Sequence, residues 1–404
     1  MNMTRRVMLS GLVAAPFVAK SQHVLAADKP FRIGAILPKT GLASQYGDFA
    51  YGGLAVGLDQ LNSSGGILGR QVELIVRDDA TNPGRALLAA KELISEQKVD
   101  VLYPGIISGT TLAVVPFTTS QRVLTVSNGA SPQIGDAAKF PYSFQLSDLV
   151  TERIPAMAAA MKKLGGTKVG ILVSTNPPQV ALGDGLAADL PKTYGMSVAG
   201  YKQHSGDAKD LTSQLQALRE AGADIVAFST VAREGVRVVM LGMQTLGWKA
   251  KVVGEPAALY GDLTEQVPDA VRDQFFAINY RIGTQLRSSS PARDKMIEAL
   301  RKTGPIQNLA ISCVARDAMH FFAWACTTAK SKSGSIEPDA LKSVLESIGS
   351  SGVPDGVSLV MGNPNFSTST HTTADADYSK FWGLVRVSKP VDGAYQGEPL
   401  ELAS

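Results

Sequence analysis

Short runs rich in β-branched and aromatic residues alternate, many times over, with segments whose apolar residues recur at helical spacing. This alternation limits the folds open to the chain more than any other feature. The predicted strands cover 31–37, 72–77, 99–104, 123–126, 168–173, 197–201, 224–229, 251–254 and 275–281. Between them, Ala50, Leu54, Gly57, Leu58 and Leu61 fall on one helical face. Ala86, Ala89, Ala90 and Leu93 do the same, as do Leu211, Leu215 and Leu218, and Val236, Val239, Met240 and Met243. Strands apolar along nearly their whole length, each followed by such a helix, predict an α/β fold. Its sheets would be parallel and covered on both faces.

The rhythm breaks once, near 146–155, and restarts, which predicts two α/β halves of comparable size. With 404 residues, two or three domains have room for full cores. A helical block follows over 291–303, 309–329 and 338–349. The tail, 353–404, has β-like runs at 357–361 and 382–387 around a polar stretch at 367–373. It can extend an existing sheet but hardly builds a core.

Residues 1–26 read as an export signal. They hold Arg5, Arg6 and Lys20 but no acid, an apolar run at 7–19, and small residues at Ala26 and Ala27. The paired arginines resemble a twin-arginine signal, with Met8 where that motif prefers Phe. The apolar run is too short to span a bilayer, which takes about 20 residues. No later stretch of 18 residues is apolar. Without this segment cations and anions balance, so the basic footprint of nucleic-acid binding is missing. The chain has two cysteines, too few for a disulfide scaffold or a zinc cluster. Cys313 and Cys326 are predicted on one helix, about 20 Å apart, as buried thiols.

Open α/β sheets bind ligands beyond the carboxyl ends of their strands. In the first half those ends are 105–111 and 127–131, rich in Ser, Thr and Gly; in the second they are 174–179, 230–234 and 255–257. A helix starting at Ser108, Gly109 and Thr110 offers free amides to an anion, a carboxylate above all. Ser108 and Thr110 can equally serve as helix caps. Asp148 and Glu255 are the acids nearest the crevice; they either accept from an ammonium or sit solvated in turns. Catalytic signatures are weak. The serine of 105–109 is one place off the G-x-S-x-G elbow, and there is no phosphate-binding loop. The four histidines have no metal-ligand spacing, and Asp375 and Asp377 lack the Gly and Glu of a calcium loop. No cofactor or metal is expected. Trp382 and Tyr378 are read as packing residues rather than ligand platforms.

Several segments carry a resemblance. Residues 31–41 (FRIGAILPKTG), 61–70 (LNSSGGILGR), 78–83 (DDATNP) and 254–256 (GEP) resemble landmarks of the leucine/isoleucine/valine-binding protein family. These are periplasmic solute receptors of ABC importers. The resemblance implies a type I periplasmic binding protein: two doubly wound α/β lobes joined by a three-crossing hinge, closing on a small solute. It implies a first lobe of 28–148 plus 281–352 and a second of 149–280 plus 353–404, with hinge points near Asp148, Tyr280 and Gly352. By position, Ser108, Gly109 and Thr110, with Gly129, Ala130 and Ser131, would hold the ligand carboxylate. Asp148 and Glu255 would stand near its ammonium. Two positions depart from the pattern: Leu182 stands where many amino-acid binders have Tyr, and Val231 where an aromatic often follows the strand. The implied partners are a small-molecule solute and a membrane ABC permease, with the receptor a monomer in the periplasm.

The function read from this is non-catalytic capture of an amino acid or related small carboxylate. Three alternatives stand beside it. One is a receptor for an aromatic acid, amide or urea. Another is a sensory ligand-binding module. The last is an exported hydrolase using Ser108, for which the sequence offers no credible base.

Overall fold

The computed structural model describes residues 29–232, 234–285, 291–360, 364–373 and 381–402. The export segment, Asp375, Asp377 and Tyr378 lie outside the described residues. The first sheet holds β1 (Phe31–Leu37), β2 (Val72–Asp78), β3 (Val101–Tyr103), β4 (Thr125–Ser127) and β5 (Ser143–Gln145) in the order β2-β1-β3-β4-β5. All its pairings are parallel. The second holds β6 (Lys168–Ser174), β7 (Ser197–His204), β8 (Ile225–Ser229), β9 (Lys251–Gly254), β10 (Phe275–Tyr280), β11 (Trp382–Arg386) and β12 (Gly397–Pro399). Its order is β12-β11-β10-β9-β8-β6-β7. From β6 to β10 it repeats the connectivity of the first sheet. Each lobe therefore reverses strand order once, between β1 and β3 and between β6 and β8, and such switch points open ligand crevices.

The predicted α/β architecture holds. Strands such as β8, with every residue buried, are covered by helices on both faces, as their unbroken apolar runs require. In the first half lie α1 (Ser44–Ser63), α2 (Pro83–Ser95) and α3 (Ser108–Ser120). The second half has α4 (Ile154–Lys163), α5 (Pro177–Asp189), α6 (Thr212–Glu220), α7 (Gly235–Leu246) and the short α8 (Leu263–Gln266). Then come α9 (Pro291–Thr303), α10 (Leu309–Ser333) and α11 (Pro338–Glu346). α2 shows how the sequence sets an end. Asn82 accepts from the Arg85 amide, Pro83 opens the helix, and Ala86, Ala89, Ala90 and Leu93 face the core. α10 carries both cysteines, buried and unpaired. It packs on α1 where Gly53 and Gly57 let the two backbones approach.

Three expectations change. β5 and β12 went unread, being three residues each. The run at 357–361 is not a strand through residue 360; instead the Leu359 and Val360 amides donate to Asp317 of α10 at 2.6 and 3.2 Å. The boundary at Gly352 is also displaced. Phe366 is buried in the first-lobe core, His371 O accepts from the Gln145 amide at 2.8 Å, and Thr373 donates to Ser147 O at 2.8 Å. Phe366, His371 and Thr373 therefore pack on the first lobe rather than the second. β11 then pairs antiparallel with β10, so the tail extends the second sheet as its sequence suggested.

Candidate functional site

The lobes enclose a cavity of about 520 Å³ at their facing switch points. Its walls come from the carboxyl ends of strands in both sheets. Tyr46 follows β1, residues 106–110 follow β3, Asn128 and Ala130 follow β4, and Ser147 follows β5. From the second lobe come Asn176, Pro177, Pro178 and Gln179 after β6, Val231 after β8, and Pro256 and Ala257 after β9. Ile311 and Val314 of α10 complete it. The lobes touch across its mouth: Gln45 donates to Val231 O at 3.1 Å, the Tyr46 hydroxyl donates to Ala257 O, and Phe49 stacks on Tyr260 with centroids 5.8 Å apart.

On the first-lobe wall, α3 begins at Ser108 with no side-chain cap. Thr110 Oγ1 donates backward to Ile107 O at 3.0 Å. Ser108 Oγ accepts from the Ala130 and Ser131 amides, at 3.0 and 3.1 Å. The capping alternative is therefore not the arrangement adopted. With its lone pairs engaged, the Ser108 hydroxyl has its proton left to donate, beside the uncapped amides of the helix start. Gly129 does not line the cavity, but it lets this turn close: a Cβ there would lie 2.6 Å from Ile134 Cδ1 and 3.4 Å from Ser108 Cα. Asn128 Oδ1 accepts from the Tyr103 hydroxyl at 2.7 Å, and its buried Nδ2 has no protein partner.

Arg153 is the charged side chain among the described lining residues. It joins the two acids singled out in the sequence. Nε and Nη2 donate to Asp148 Oδ2 and Oδ1 at 2.6 and 3.1 Å, and Nη1 donates to Glu255 Oε2 at 2.6 Å. Tyr280 donates to Asp148 Oδ1, Ser229 donates to Glu255 Oε1 at 2.8 Å, and the Ala257 amide donates to Glu255 Oε2 at 3.0 Å. Every carboxylate oxygen thus has a protein donor. Both acids are fully buried. Burial works against the charged guanidinium, but Asp148, Tyr280 and Glu255 outweigh it and hold the Arg153 pKa well above its ordinary value. Burial, then the Asp148 charge, pushes the Tyr280 phenol up, so it stays a donor. The network ties the first crossing (Asp148, Arg153) to the end of β10 (Tyr280) and to the tip of β9 (Glu255).

Of the ten residues read from the sequence, Ser108, Gly109, Thr110, Ala130 and Val231 line the cavity. Gly129 and Ser131 support its wall through Ser108. Asp148 and Glu255 sit behind it, bound to Arg153. Leu182 lies in the second-lobe core with no exposed surface. Trp382 is likewise core, stacked near Tyr280 at 5.5 Å. Sequence reading missed Tyr46 and Arg153 as wall residues; Asn128 and Gln179 lay within the strand ends 127–131 and 174–179 but were not singled out. Asn128 and Gln179 carried the signal of standing just past the carboxyl ends of β4 and β6, whereas Tyr46 and Arg153 carried none. Among the described residues no three potential metal ligands cluster, and no helix is long and apolar enough to cross a membrane.

Known proteins resemble this chain in sequence and shape. A sequence model of the periplasmic binding protein family matches residues 30–381. The leucine-, isoleucine-, valine-, threonine- and alanine-binding protein of Pseudomonas aeruginosa is 25% identical over 266 residues, 65% of this chain and 70% of that one. A leucine-binding protein from Thermotoga maritima superposes with a TM-score of 0.75 at 19% identity, covering 92% of this chain and 98% of that one. An ABC-transporter solute-binding protein from Rhodopseudomonas palustris HaA2, solved with p-hydroxybenzoic acid, superposes with a TM-score of 0.73 at 20% identity, covering 93% and 98%.

Proposed function

The chain belongs to the periplasmic binding protein family of ABC-transporter solute receptors, and from that premise we propose that its solute is a small carboxylate with an apolar or aromatic body and no ammonium group. One observation carries the choice: the four oxygens of Asp148 and Glu255 are already occupied by protein donors. An ammonium entering the cavity meets a guanidinium, not a free acid. The carboxylate end fits the start of α3, where uncapped amides and the Ser108 hydroxyl favour negative charge. The rest of the wall is mostly apolar, with Ile106, Ile107, Leu112, Pro177, Val231 and Ile311 offering a body site rather than polar recognition. The Rhodopseudomonas neighbour, solved with an aromatic acid, agrees with this choice.

In this reading Ser108 is a binding hydroxyl, not a nucleophile. Its oxygen accepts two amides, and no histidine among the described residues lines the cavity. The lobes rotate at their crossings and seal the solute, as periplasmic binding proteins do in general. Residues 1–26 direct export to the periplasm by the twin-arginine route, and the closed monomer is what the membrane permease receives. No cofactor takes part.

A thermal-shift screen of the mature chain tests the choice. Benzoate, 3-phenylpropanoate and octanoate are compared with leucine and phenylalanine. A ligand at a hundred times its Kd stabilises by about 2.7 kcal/mol, so plain carboxylates are expected to raise Tm and the amino acids to leave it unmoved. Stabilisation by leucine with none by any plain carboxylate refutes the proposal.

A further inference from the structure

The two walls of the cavity differ in what they offer. The first-lobe wall donates, through the α3 amides, the Ser108 hydroxyl and Asn128 Nδ2. Asn128 cannot present its oxygen instead, because the Tyr103 hydroxyl holds it. On the second-lobe wall, α5 opens with Pro177 and Pro178, which have no amide hydrogens to give. Asn176 is engaged, its Oδ1 accepting from Ser174 at 3.0 Å. Gln179 remains. It is 3% exposed, it lines the cavity, and its Oε1 has no protein partner. A buried acceptor without a partner is uncommon and calls for an occupant.

We infer that Gln179 is a specificity residue, selecting carboxylates that carry a hydrogen-bond donor, a hydroxyl above all, at the end away from the acid. The inference rests on the carboxylate reading above. A solute with an acid at one end and a hydroxyl at the other matches donors on one lobe and an acceptor on the other, so it is read by both lobes when they close. A plain carboxylate fills the same cavity but leaves Gln179 Oε1 unpaired. One neutral hydrogen bond corresponds to roughly a 3- to 10-fold difference in affinity.

The test measures Kd by calorimetry for two probe pairs, benzoate with 4-hydroxybenzoate and 3-phenylpropanoate with 3-(4-hydroxyphenyl)propanoate. Wild-type mature protein and Gln179→Leu are compared. Wild type is expected to prefer the hydroxylated member of the tighter pair by roughly 3- to 10-fold. Gln179→Leu is expected to lose that preference while binding the plain member as before, which also reports that the variant is folded. A preference absent from wild type, or kept in the variant, overturns the inference and leaves the carboxylate reading standing. If wild type binds neither member of either pair while an amino acid binds, both readings fall.

Discussion

Replacing Arg153 by methionine keeps much of the side chain's length and removes its charge. The structure says what is left behind. Asp148 loses both of its arginine donors and Glu255 loses one, and neither acid has any exposed surface. Asp148 keeps the hydroxyls of Tyr280 and Ser147, and Glu255 keeps Ser229 and the Ala257 amide. Hydrogen bonding survives in part; charge compensation does not. Removing one partner from a buried ion pair costs about 3–5 kcal/mol. Two stranded acids put Arg153→Met at the upper end of that range. Urea unfolding at pH 7.5, followed by tryptophan fluorescence and circular dichroism, reads this as a fall in midpoint on the order of 1 M. The decisive arm is the neutral triple variant Asp148→Asn, Arg153→Met, Glu255→Gln. It removes the stranded charge at similar volume and is expected to recover at least half of the loss. A loss below about 1 kcal/mol for Arg153→Met, or no recovery in the triple variant, would refute the charge argument.

Two further outcomes follow from the packing around α10. A Cβ on Gly53 would lie 2.0 Å from the Ser312 carbonyl oxygen, so Gly53→Ala must push α1 off α10; the expected cost is about 1–3 kcal/mol, seen as a Tm several degrees lower, and an unchanged Tm would show the contact is soft. Acid sensitivity should divide between neighbouring residues. Burial, then the Arg316 charge, holds the His320 pKa down at about 3, so the folded chain binds fewer protons than the unfolded one. That stability is present above about pH 6.5 and drains as pH falls, at roughly 1 kcal/mol per pH unit. Burial raises the Asp317 pKa to about 6 despite Arg316, which gives the opposite sign: a contribution complete below about pH 3.9 and lost as pH rises through 6. Between pH 7 and 4.5, His320→Gln should lose less stability than wild type and Asp317→Asn more; parallel curves for all three would remove both groups from the balance.

What was legible in the sequence was whatever a period or a run encodes. β1 and β9 fall where their apolar runs place them, because the stretches after Arg32 and Lys251 are buried and apolar throughout, as a strand covered on both faces requires. β5 reads Ser-Phe-Gln and joins its sheet because β4 offers a free edge, which no local pattern reports. The stretch to Thr373 is misleading for a related reason. Its Ser/Thr composition reads as a loop, yet Phe366 anchors it in the first-lobe core. His371 stacks on Phe144 at 3.9 Å and bonds Ser143 O and Glu346. Such an anchor depends on partners 25 to 228 residues away.

The same distinction explains the site. A Ser-Gly-Thr start of a helix after a strand is visible as anion chemistry, because the groups that bind are consecutive. An acid at a strand tip is ambiguous, because its role depends on whether a cation from elsewhere has already claimed it. Arg153 lies five residues from Asp148 and 102 from Glu255, at the start of what reads as an ordinary helix. Nothing in that spacing marks it as the residue that takes both acids out of play. At 18–19% identity the solved relatives share the fold, and the fold by itself does not say which residue claims these acids. The consequence is specific to the wall. With Asp148 and Glu255 bound inward, the buried wall atoms without a protein partner include Asn128 Nδ2 on the first lobe and Gln179 Oε1 on the second. The solute proposed above, acidic at one end and protic at the other, is the one that would pair the Gln179 oxygen while its acid meets the start of α3.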